Sequence, residues 1–323
     1  MGIRSGPVPT GPFHGRRGFS VSMRIIVVGK EGQVSRALAE RARAHGAQAV
    51  LVGRPKLDLA DPSGIEDALL DTGGDVIVNA AAYTAVDQAE SDPELADAIN
   101  GIGAGAVAGA AAAMNVPVIH LSTDYVFDGT ASRPYREDDP VSPLGAYGAS
   151  KLLGEEAVAA EAENYAILRT AWVYSPLGKN FVKTMLRLAG EREELGVVAD
   201  QYGSPTSAID IADGIIAVSR NLLERPDDRS LRGLFHMTGT GFTSWSDFAA
   251  EIFSLSAKFG GPSAKVRPIA SVDYPTPAKR PANSRLDCTK LKEVHGVTLP
   301  PWRQSLEPCV KRLIEETRKE VAR

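Results

Sequence analysis

Residues 24–35 read RIIVVGKEGQVS, a short apolar run that ends at Gly29 and leads into a helical pattern. Gly29 and Gly32 lie between the two, where glycine permits a tight turn and lets backbone N–H groups approach an anion at the helix N-terminus. The usual third glycine is replaced by Ser35. The stretch predicts the first strand, phosphate loop and helix of a dinucleotide-binding fold, with a purely steric role for the glycines as the alternative.

Further apolar runs alternate with helical segments along the first half of the chain. Such alternation is typical of βαβ units, whose parallel strands are covered on both faces. The predicted fold class is α/β, a doubly wound, Rossmann-like parallel sheet with a smaller C-terminal α/β substrate lobe. Predicted strands cover residues 24–28, 49–52, 75–79, 116–122 and 165–172, and predicted helices cover 34–45, 96–114 and 150–163.

The second half of the chain has a looser pattern. We predict a disordered leader over residues 1–22, a dinucleotide-binding domain over 23–172 that parts of 207–238 complete, and a sugar-nucleotide substrate lobe that makes up most of 173–323. In the lobe, the patterns predict helices over 180–192, 209–223 and 310–321, a strand over 233–237 and a turn-rich connector over 200–206.

Composition excludes several classes of protein. The chain has 323 residues, 43% of them hydrophobic, and a net charge of -4, so a mainly disordered state is excluded. Lysine plus arginine (36) fall short of aspartate plus glutamate (40), which argues against a nucleic-acid partner. No apolar run is long enough to predict a membrane span. Cys288 and Cys309 fit neither a disulfide framework nor a metal site, and we expect a cytoplasmic protein.

The end of the second predicted strand bears on cofactor choice. It reads Val52-Gly53-Arg54, without the carboxylate that would bind the ribose 2′-hydroxyl of NAD. An arginine there suits a 2′-phosphate, which favours NADPH over NADH; a solvated surface arginine is the alternative. The residues that these arguments place against the cofactor are Arg54, Asp58, Leu59, Ala80, Ala81 and Ala82.

A hydroxyl, a phenol and an amine form the candidate catalytic set. Tyr147 and Lys151 are four residues apart, so both lie on one face of a helix. An ammonium beside the phenol is expected to lower the pKa of Tyr147, which then exchanges a proton with a carbonyl oxygen while hydride moves at carbon. Thr123 follows the fourth predicted strand, where a doubly wound sheet opens its ligand crevice. A strand-end hydroxyl followed by tyrosine and lysine in this order resembles the triad of the extended short-chain reductases.

Between residue 23 and about residue 302 the chain resembles the dTDP-4-dehydrorhamnose reductase family. The resemblance is carried by GKEGQV, VNAAAYTAVDQAE, STDYVFDG, SPLGAYGASKLLGE, LRTAWVYS, NFVKTMLRLA, DQYGSPT and YPTPAKRPANSRLD. It implies hydride transfer from NADPH, or less often NADH, to C4 of dTDP-4-dehydro-L-rhamnose. It further implies Tyr147 as general acid, Lys151 as its partner, and Thr123 as the residue that tunes the carbonyl.

The resemblance also implies binding residues. The sugar pocket is implied to consist of Thr123, Asp124, Tyr147 and Trp172, with Arg280 and Arg285 against the nucleotide. The cofactor is implied to contact Gly32, Gln33, Val34, Asp58, Leu59, Ala80, Ala81, Ala82 and Thr84.

One departure concerns metal. Some members of the family pair through a magnesium ion held by glutamates that correspond to Ala37 and Ile209 here. Neighbouring Glu40 and Asp210 are out of register: Asp210 is displaced by one residue, which turns a helix by about 100°, and Glu40 is displaced by three. We expect no metal site, and either a monomer or a metal-independent dimer.

Two other functions compete. A dehydratase or epimerase of the same fold is one; a dehydratase needs Asp-Glu after the strand-end threonine, whereas this chain has Asp124-Tyr125. The other is a non-catalytic subunit resembling the regulatory subunit of methionine adenosyltransferase, which should have lost part of the triad. The intact Thr123, Tyr147 and Lys151 favour an enzyme.

Overall fold

The structure is a computed structural model that describes residues 22–321. The predicted leader therefore lies outside the described residues, except for Ser22. A six-stranded parallel sheet forms the centre of the described chain, in the order β2-β1-β3-β4-β5-β10. Its strands are β1 (Met23–Val28), β2 (Ala47–Val52), β3 (Val76–Asn79), β4 (Val118–Thr123), β5 (Tyr165–Thr170) and β10 (Gly233–His236).

Helices cover both faces of this sheet. The alternating side chains of β1 show the arrangement, because Ile25 and Val27 belong to one buried core and Ile26 and Val28 to another. The first core includes α1 (Gln33–Arg41), α8 (Ala208–Glu224) and α10 (Thr289–His295); the second includes α2 (Ile65–Thr72), α5 (Gly103–Ala113) and α6 (Ala146–Glu161). The short helices α3 (Val86–Ala89) and α4 (Pro93–Asp97) precede α5. The predicted α/β class is confirmed.

A separate apolar core stabilises much of the second half. It joins α7 (Phe181–Ala189), α9 (Trp245–Lys258) and α11 (Trp302–Val321), and includes Tyr174, Phe248 and Leu306. Seven short strands accompany these helices: β6 (Val173–Tyr174), β7 (Glu194–Val198), β8 (Tyr202–Gly203), β9 (Thr206–Ser207), β11 (Thr243–Ser244), β12 (Lys265–Ile269) and β13 (Asn283–Ser284). The exact division of the chain at residue 172 stays a prediction.

The strand order locates a candidate crevice. Chain order reverses between β1 and β3, and ligands of open α/β sheets bind beyond the carboxyl ends of the strands at such a point. The registers place Val28 beside both Val52 and Asn79, and Thr123 beside Thr170, so these strand ends share one edge. The loops that follow them carry most of the predicted site residues.

One helical stretch in the described chain, Pro93–Ala113, has the length and apolar composition of a membrane span. More than half of its most apolar part is buried inside the protein. Val107, Ala108 and Ala111 are fully buried in the core against β3 and α6. The stretch is therefore typical of a core helix.

Candidate active site

The glycine loop after β1 is shaped by a close approach. Gly29 has a φ of 113°, and a Cβ at this position would lie 2.9 Å from the Ser35 hydroxyl and 3.3 Å from the Ala81 methyl. A side chain at residue 29 would therefore be both strained and crowded. The Ser35 hydroxyl is buried and has no hydrogen-bond partner among the described residues. Helix α1 begins at Gln33 without a side-chain cap or an acidic residue in its first turn, an arrangement that suits an anion.

Two cations lie at the end of β2. Arg54 is exposed, and its carbonyl oxygen accepts a hydrogen bond of 3.2 Å from Lys30 Nζ. Lys30 therefore lies beside Arg54, a neighbour that the sequence analysis missed. The Asp58 carboxylate accepts a hydrogen bond of 3.1 Å from the Ala60 amide. The Leu59 side chain is packed in the core, so any contact that it makes with a cofactor would be through its backbone.

Small side chains follow β3. Ala80, Ala81 and Ala82 are half-buried beyond the strand end, and Thr84 is exposed. Asn100 holds this loop in place, because its carboxamide accepts from the Tyr83 amide at 2.8 Å and donates to the Tyr83 carbonyl at 3.1 Å. The same Asn100 donates to the Ser150 hydroxyl on α6 at 2.9 Å, which joins the loop to the helix that carries Tyr147.

Gln33 and Val34 take part in packing rather than exposing their side chains to the crevice. The Gln33 carboxamide oxygen accepts hydrogen bonds from the Ser175 hydroxyl and the Asn180 amide group, both at 2.9 Å. It thereby ties the glycine loop to the second half of the chain. Val34 is buried in the core. The loop's contribution to phosphate binding would come from backbone N–H groups.

Tyr147 lies in the first turn of α6. Residue 145, which caps this helix, is a glycine, and a Cβ there would lie 2.3 Å from the Glu90 carboxylate. Glu90 instead accepts a hydrogen bond of 2.9 Å from the Ala146 amide and supplies the missing cap from a distant part of the chain. The Tyr147 ring also contacts the Tyr125 ring edge-on, with centroids 5.5 Å apart. These contacts fix the position of the phenol.

The structure brings the predicted Thr123 close to the Tyr147 phenol. Burial raises the pKa of Tyr147 to about 12; the neighbouring Thr123 hydroxyl opposes this and the charge of Asp124 reinforces it. The expectation that Lys151 lowers this pKa is therefore wrong for the protein alone, because burial outweighs any effect of the amine. The phenol keeps its proton at neutral pH.

Lys151 lies one turn further along α6 and is 2% exposed. Burial lowers the pKa of Lys151 to about 8, while the charge of Glu155 works in the opposite direction. The Lys151 Nζ lies 3.2 Å from His120 Nε2, and His120 Nδ1 lies 3.2 Å from the Asn79 amide nitrogen. This buried chain of polar groups was not predicted.

Glu155, four residues beyond Lys151, completes the buried polar layer. It accepts two hydrogen bonds from Arg169 on β5, at 2.8 and 2.6 Å, and one from the Ser122 hydroxyl. The Glu155 and Arg169 side chains are 7% and 3% exposed. Two signals could have revealed the layer: His120 and Ser122 are two residues apart on one strand, and Glu155 continues the four-residue spacing of α6.

Asp124 connects the strand end to the second half of the chain. It is buried, and its carboxylate accepts a hydrogen bond of 3.1 Å from Thr123, while Ser284 on β13 lies nearby. Burial raises the pKa of Asp124 to about 6, against the effects of these two hydroxyl groups. Its second carboxylate oxygen has no partner among residues 22–321. That oxygen could accept a hydrogen bond from a ligand hydroxyl.

Trp172 follows β5 in an unusual conformation, with a φ of 48°. Its indole stacks on that of Trp245, with ring centroids 3.5 Å apart. Residue 203 must be small, because a Cβ on Gly203 would lie 2.4 Å from the Trp172 ring. The strained backbone is therefore held by packing on two sides, which is typical of a residue kept at a functional site.

The two predicted nucleotide-binding arginines both have protein partners. Arg280 forms a 2.8 Å ion pair with Asp87, which joins the 270–285 stretch to α3. Arg285 donates to Asn283 and to the Ser132 carbonyl, and its guanidinium lies 5.0 Å from the centre of the Phe242 ring. Their roles in substrate binding stay predictions.

Cys288 and Cys309 are free thiols, and burial raises the pKa of both. Within residues 22–321, no group of three or more histidine, cysteine or acidic side chains is arranged to hold a metal ion.

Known proteins are similar to this chain over most of its length. A family model described as the RmlD substrate binding domain matches residues 23–315. The dTDP-4-dehydrorhamnose reductase of Sinorhizobium fredii is 50% identical over 294 residues, which cover 91% of this chain and 99% of the relative. The Escherichia coli K12 protein of the same name is 42% identical over 300 residues, covering 91% and 98%.

A solved structure is similar over the same extent. The dTDP-4-dehydrorhamnose reductase of Bacillus anthracis, in complex with NADP, aligns with a TM-score of 0.82 and 35% identity, covering 89% of this chain and 98% of that one. The resemblance drawn from the sequence motifs is confirmed: this chain belongs to the dTDP-4-dehydrorhamnose reductase family.

Proposed function

We propose that this chain reduces the C4 keto group of dTDP-4-dehydro-L-rhamnose with NADPH and so forms dTDP-L-rhamnose. The observation that carries the proposal is the position of Thr123 close to the Tyr147 phenol, with Lys151 one helical turn further along α6, at the carboxyl edge of the sheet. The choice of substrate follows the relatives, which are dTDP-4-dehydrorhamnose reductases, and the NADP complex of the Bacillus anthracis protein supports the choice of cofactor.

The residues around the glycine loop fit a dinucleotide. The uncapped start of α1 provides backbone N–H donors for a pyrophosphate. Lys30 and Arg54 would neutralise a 2′-phosphate at the end of β2. Ala80, Ala81 and Ala82 would leave space for the rings. When bound, the cofactor supplies hydride.

The chain itself supplies the proton. Tyr147, whose pKa burial raises to about 12, is a protonated phenol over the physiological range and donates its proton to the oxygen that becomes the C4 hydroxyl. The Thr123 hydroxyl lies close to the phenol and stabilises the negative charge that develops on Tyr147. Lys151, as an ammonium ion, stabilises the same charge from the next turn of α6. A positioned general acid contributes roughly 10²–10⁴-fold to the rate.

Substrate binding is assigned to the neighbouring side chains. The free carboxylate oxygen of Asp124 would accept a hydrogen bond from a sugar hydroxyl, and the indole of Trp172 would pack on the sugar ring. Arg280 would bind the diphosphate while remaining on Asp87, because a guanidinium has five N–H donors. The exposed edge of the Arg285 guanidinium would contact the thymine base.

The experiment is a reductase assay across several nucleotide-linked keto sugars with NADPH or NADH. We expect the highest kcat/KM with the dTDP-linked 4-keto-6-deoxy sugar and NADPH. A higher kcat/KM with another nucleotide or keto sugar would assign a different reductase of this fold. Epimerisation without net NADPH oxidation would assign an epimerase. Absence of turnover with every sugar would favour the non-catalytic subunit.

We further propose a monomer, or a dimer that magnesium does not link. Ala37 is buried in the core and Ile209 packs against it. The carboxylates nearby are engaged within the chain, Glu40 by Arg312 at 2.8 Å and Asp210 by Ser305. A cytoplasmic location, and the absence of a nucleic-acid or membrane partner, stay predictions from composition.

A further inference from the structure

His120 lies under the candidate active site, between two predicted site elements. It is on β4, three residues before Thr123, and is fully buried, as are its neighbours Asn79 on β3 and Lys151 on α6. Its ring nitrogens face one neighbour each, both at 3.2 Å. A buried imidazole that contacts the lysine of the triad determines which hydrogen bonds that lysine makes.

The chemistry of the three groups restricts their arrangement. An ammonium ion has only donors, so a charged Lys151 requires Nε2 of His120 to accept. The neutral ring must then carry its proton on Nδ1, which needs an acceptor. Asn79 has such an acceptor: its carboxamide oxygen is buried and has no partner among the described residues. The two orientations of a carboxamide have the same shape, and the one with Oδ1 on His120 supplies the acceptor that Nδ1–H needs.

We propose that His120 is a positioning residue, which accepts a hydrogen bond from the Lys151 ammonium, while Asn79 holds the imidazole in the Nδ1–H tautomer. The pair keeps the lysine charged and aimed along α6 toward Tyr147. This role rests on the proposed reductase function, because it acts through Lys151. The hydrogen-bond partners of the His120 ring are Asn79 and Lys151, and neither Tyr147 nor Thr123 is among them. His120 is therefore not placed among the catalytic residues.

Charges around the lysine agree with this arrangement. Burial, followed by the charge of Lys151, holds the pKa of His120 well below its usual value, so the ring is neutral and able to accept. The charged group that faces Lys151 from its own helix is Glu155, whose carboxylate already pairs with Arg169. The Tyr147 phenol is protonated. His120 is thus the neutral acceptor that directs the ammonium.

The first test compares His120→Leu with His120→Gln in the full chain. Leucine removes the acceptor, whereas glutamine offers a carboxamide oxygen near the position of Nε2. We expect His120→Leu to move the basic limb of the kcat profile down by about one to two pH units, the ten- to hundredfold change expected from a hydrogen bond to a charged group. His120→Gln should restore most of the profile. KM for the keto sugar should change little.

Asn79→Asp gives a prediction of opposite sign. A carboxylate still accepts from Nδ1 and adds a negative charge, so it should move the basic limb to higher pH. His295→Leu is the matched control: His295 is a buried histidine on α10 with a 3.1 Å contact to the Leu231 carbonyl. Its replacement should lower stability and leave the shape of the pH profile unchanged.

A second measurement does not depend on turnover. Imidazole ¹⁵N NMR of the full chain with NADPH should show His120 as the neutral Nδ1–H tautomer at neutral pH. An Nε2–H tautomer, or a loss of activity in His120→Leu that is equal at every pH, would overturn the proposal. Failure of the wild-type chain to reduce any keto sugar would refute the proposed function instead, and the NMR result would still decide the tautomer. If His120→Leu does not fold, Asn79→Asp and the NMR spectrum decide.

Discussion

The buried ion pair between Glu155 and Arg169 gives the most quantitative prediction. Both side chains are under a tenth exposed and are joined by two hydrogen bonds of 2.6 and 2.8 Å. Glu155→Gln keeps the shape and removes the charge, which leaves a guanidinium in the interior without its counter-charge. Removing one partner of a buried pair costs about 3–5 kcal/mol. Because glutamine retains one acceptor oxygen, we expect a loss near the lower limit, about 3 kcal/mol.

The assay is urea unfolding followed by tryptophan fluorescence, with Glu156→Gln as the control. Glu156 is the next residue on α6 and is exposed, so its replacement should change the free energy of unfolding by less than about 0.5 kcal/mol. A second readout is the pH profile of kcat: the charge of Glu155 raises the pKa of Lys151, so its removal should move the basic limb to lower pH. A loss below about 1 kcal/mol for Glu155→Gln would refute the assignment of a strong buried pair.

Three further predictions concern the pH range, the cofactor and metal. Turnover should fall as pH rises through about 8, where Lys151 loses its proton while Tyr147, with its pKa of about 12, keeps its own; a constant kcat up to the range of free lysine, about pH 10, would contradict this. Arg54→Ala should raise the Kd for NADPH by more than about tenfold and leave the Kd for NADH unchanged. Arg43→Ala, at another exposed arginine, is the control. Equal Kd changes for both cofactors would show that Arg54 is a solvated surface residue without a role in binding the 2′-phosphate. EDTA should leave turnover and sedimentation unchanged, and a dimer that dissociates on chelation and re-forms with magnesium would show that other carboxylates bind the metal.

The parallel sheet was predictable because its strands are buried on both faces. All six of its strands were placed to within about two residues, since each is a short apolar run between polar or glycine-rich segments. Helix ends were harder to predict. Helix α6 begins at Ala146 rather than Ser150 because Glu90, far away in the sequence, caps it. Helix α11 begins at Trp302 rather than Val310 and contains Pro308, a residue that usually interrupts a helix.

Elements of the second half were missed for different reasons. Helix α9 was not predicted, although Ser244 has the spacing of a cap and accepts a hydrogen bond of 3.0 Å from the Asp247 amide. The predicted connector over 200–206 contains β8 and the start of β9. Strands of two residues have no periodicity to detect, and only their partners in β11, β13 and β6 define them.

The candidate site was predictable where spacing along one element carries the chemistry. Tyr147 and Lys151 share a helix face, and Thr123 ends a strand, so the motif and its position in the fold were enough to predict this set of residues. The contacts of Lys151 were not predictable from sequence. Lys151 is on a helix, whereas His120 and Asn79 are on two neighbouring strands and lie side by side only because of the sheet register. The pKa of Tyr147 was predicted in the wrong direction because burial, which depends on the whole fold, is the dominant cause.

The most direct test of the account is the turnover of Tyr147→Phe with NADPH and dTDP-4-dehydro-L-rhamnose. The variant keeps the ring and loses the proton, so kcat should fall by roughly 10²–10⁴-fold while the Kd for NADPH stays close to that of the wild type. Tyr165→Phe, at the start of β5 and on the opposite edge of the sheet, should retain normal turnover. Near-normal kcat in Tyr147→Phe would contradict the assignment of Tyr147 as the proton donor.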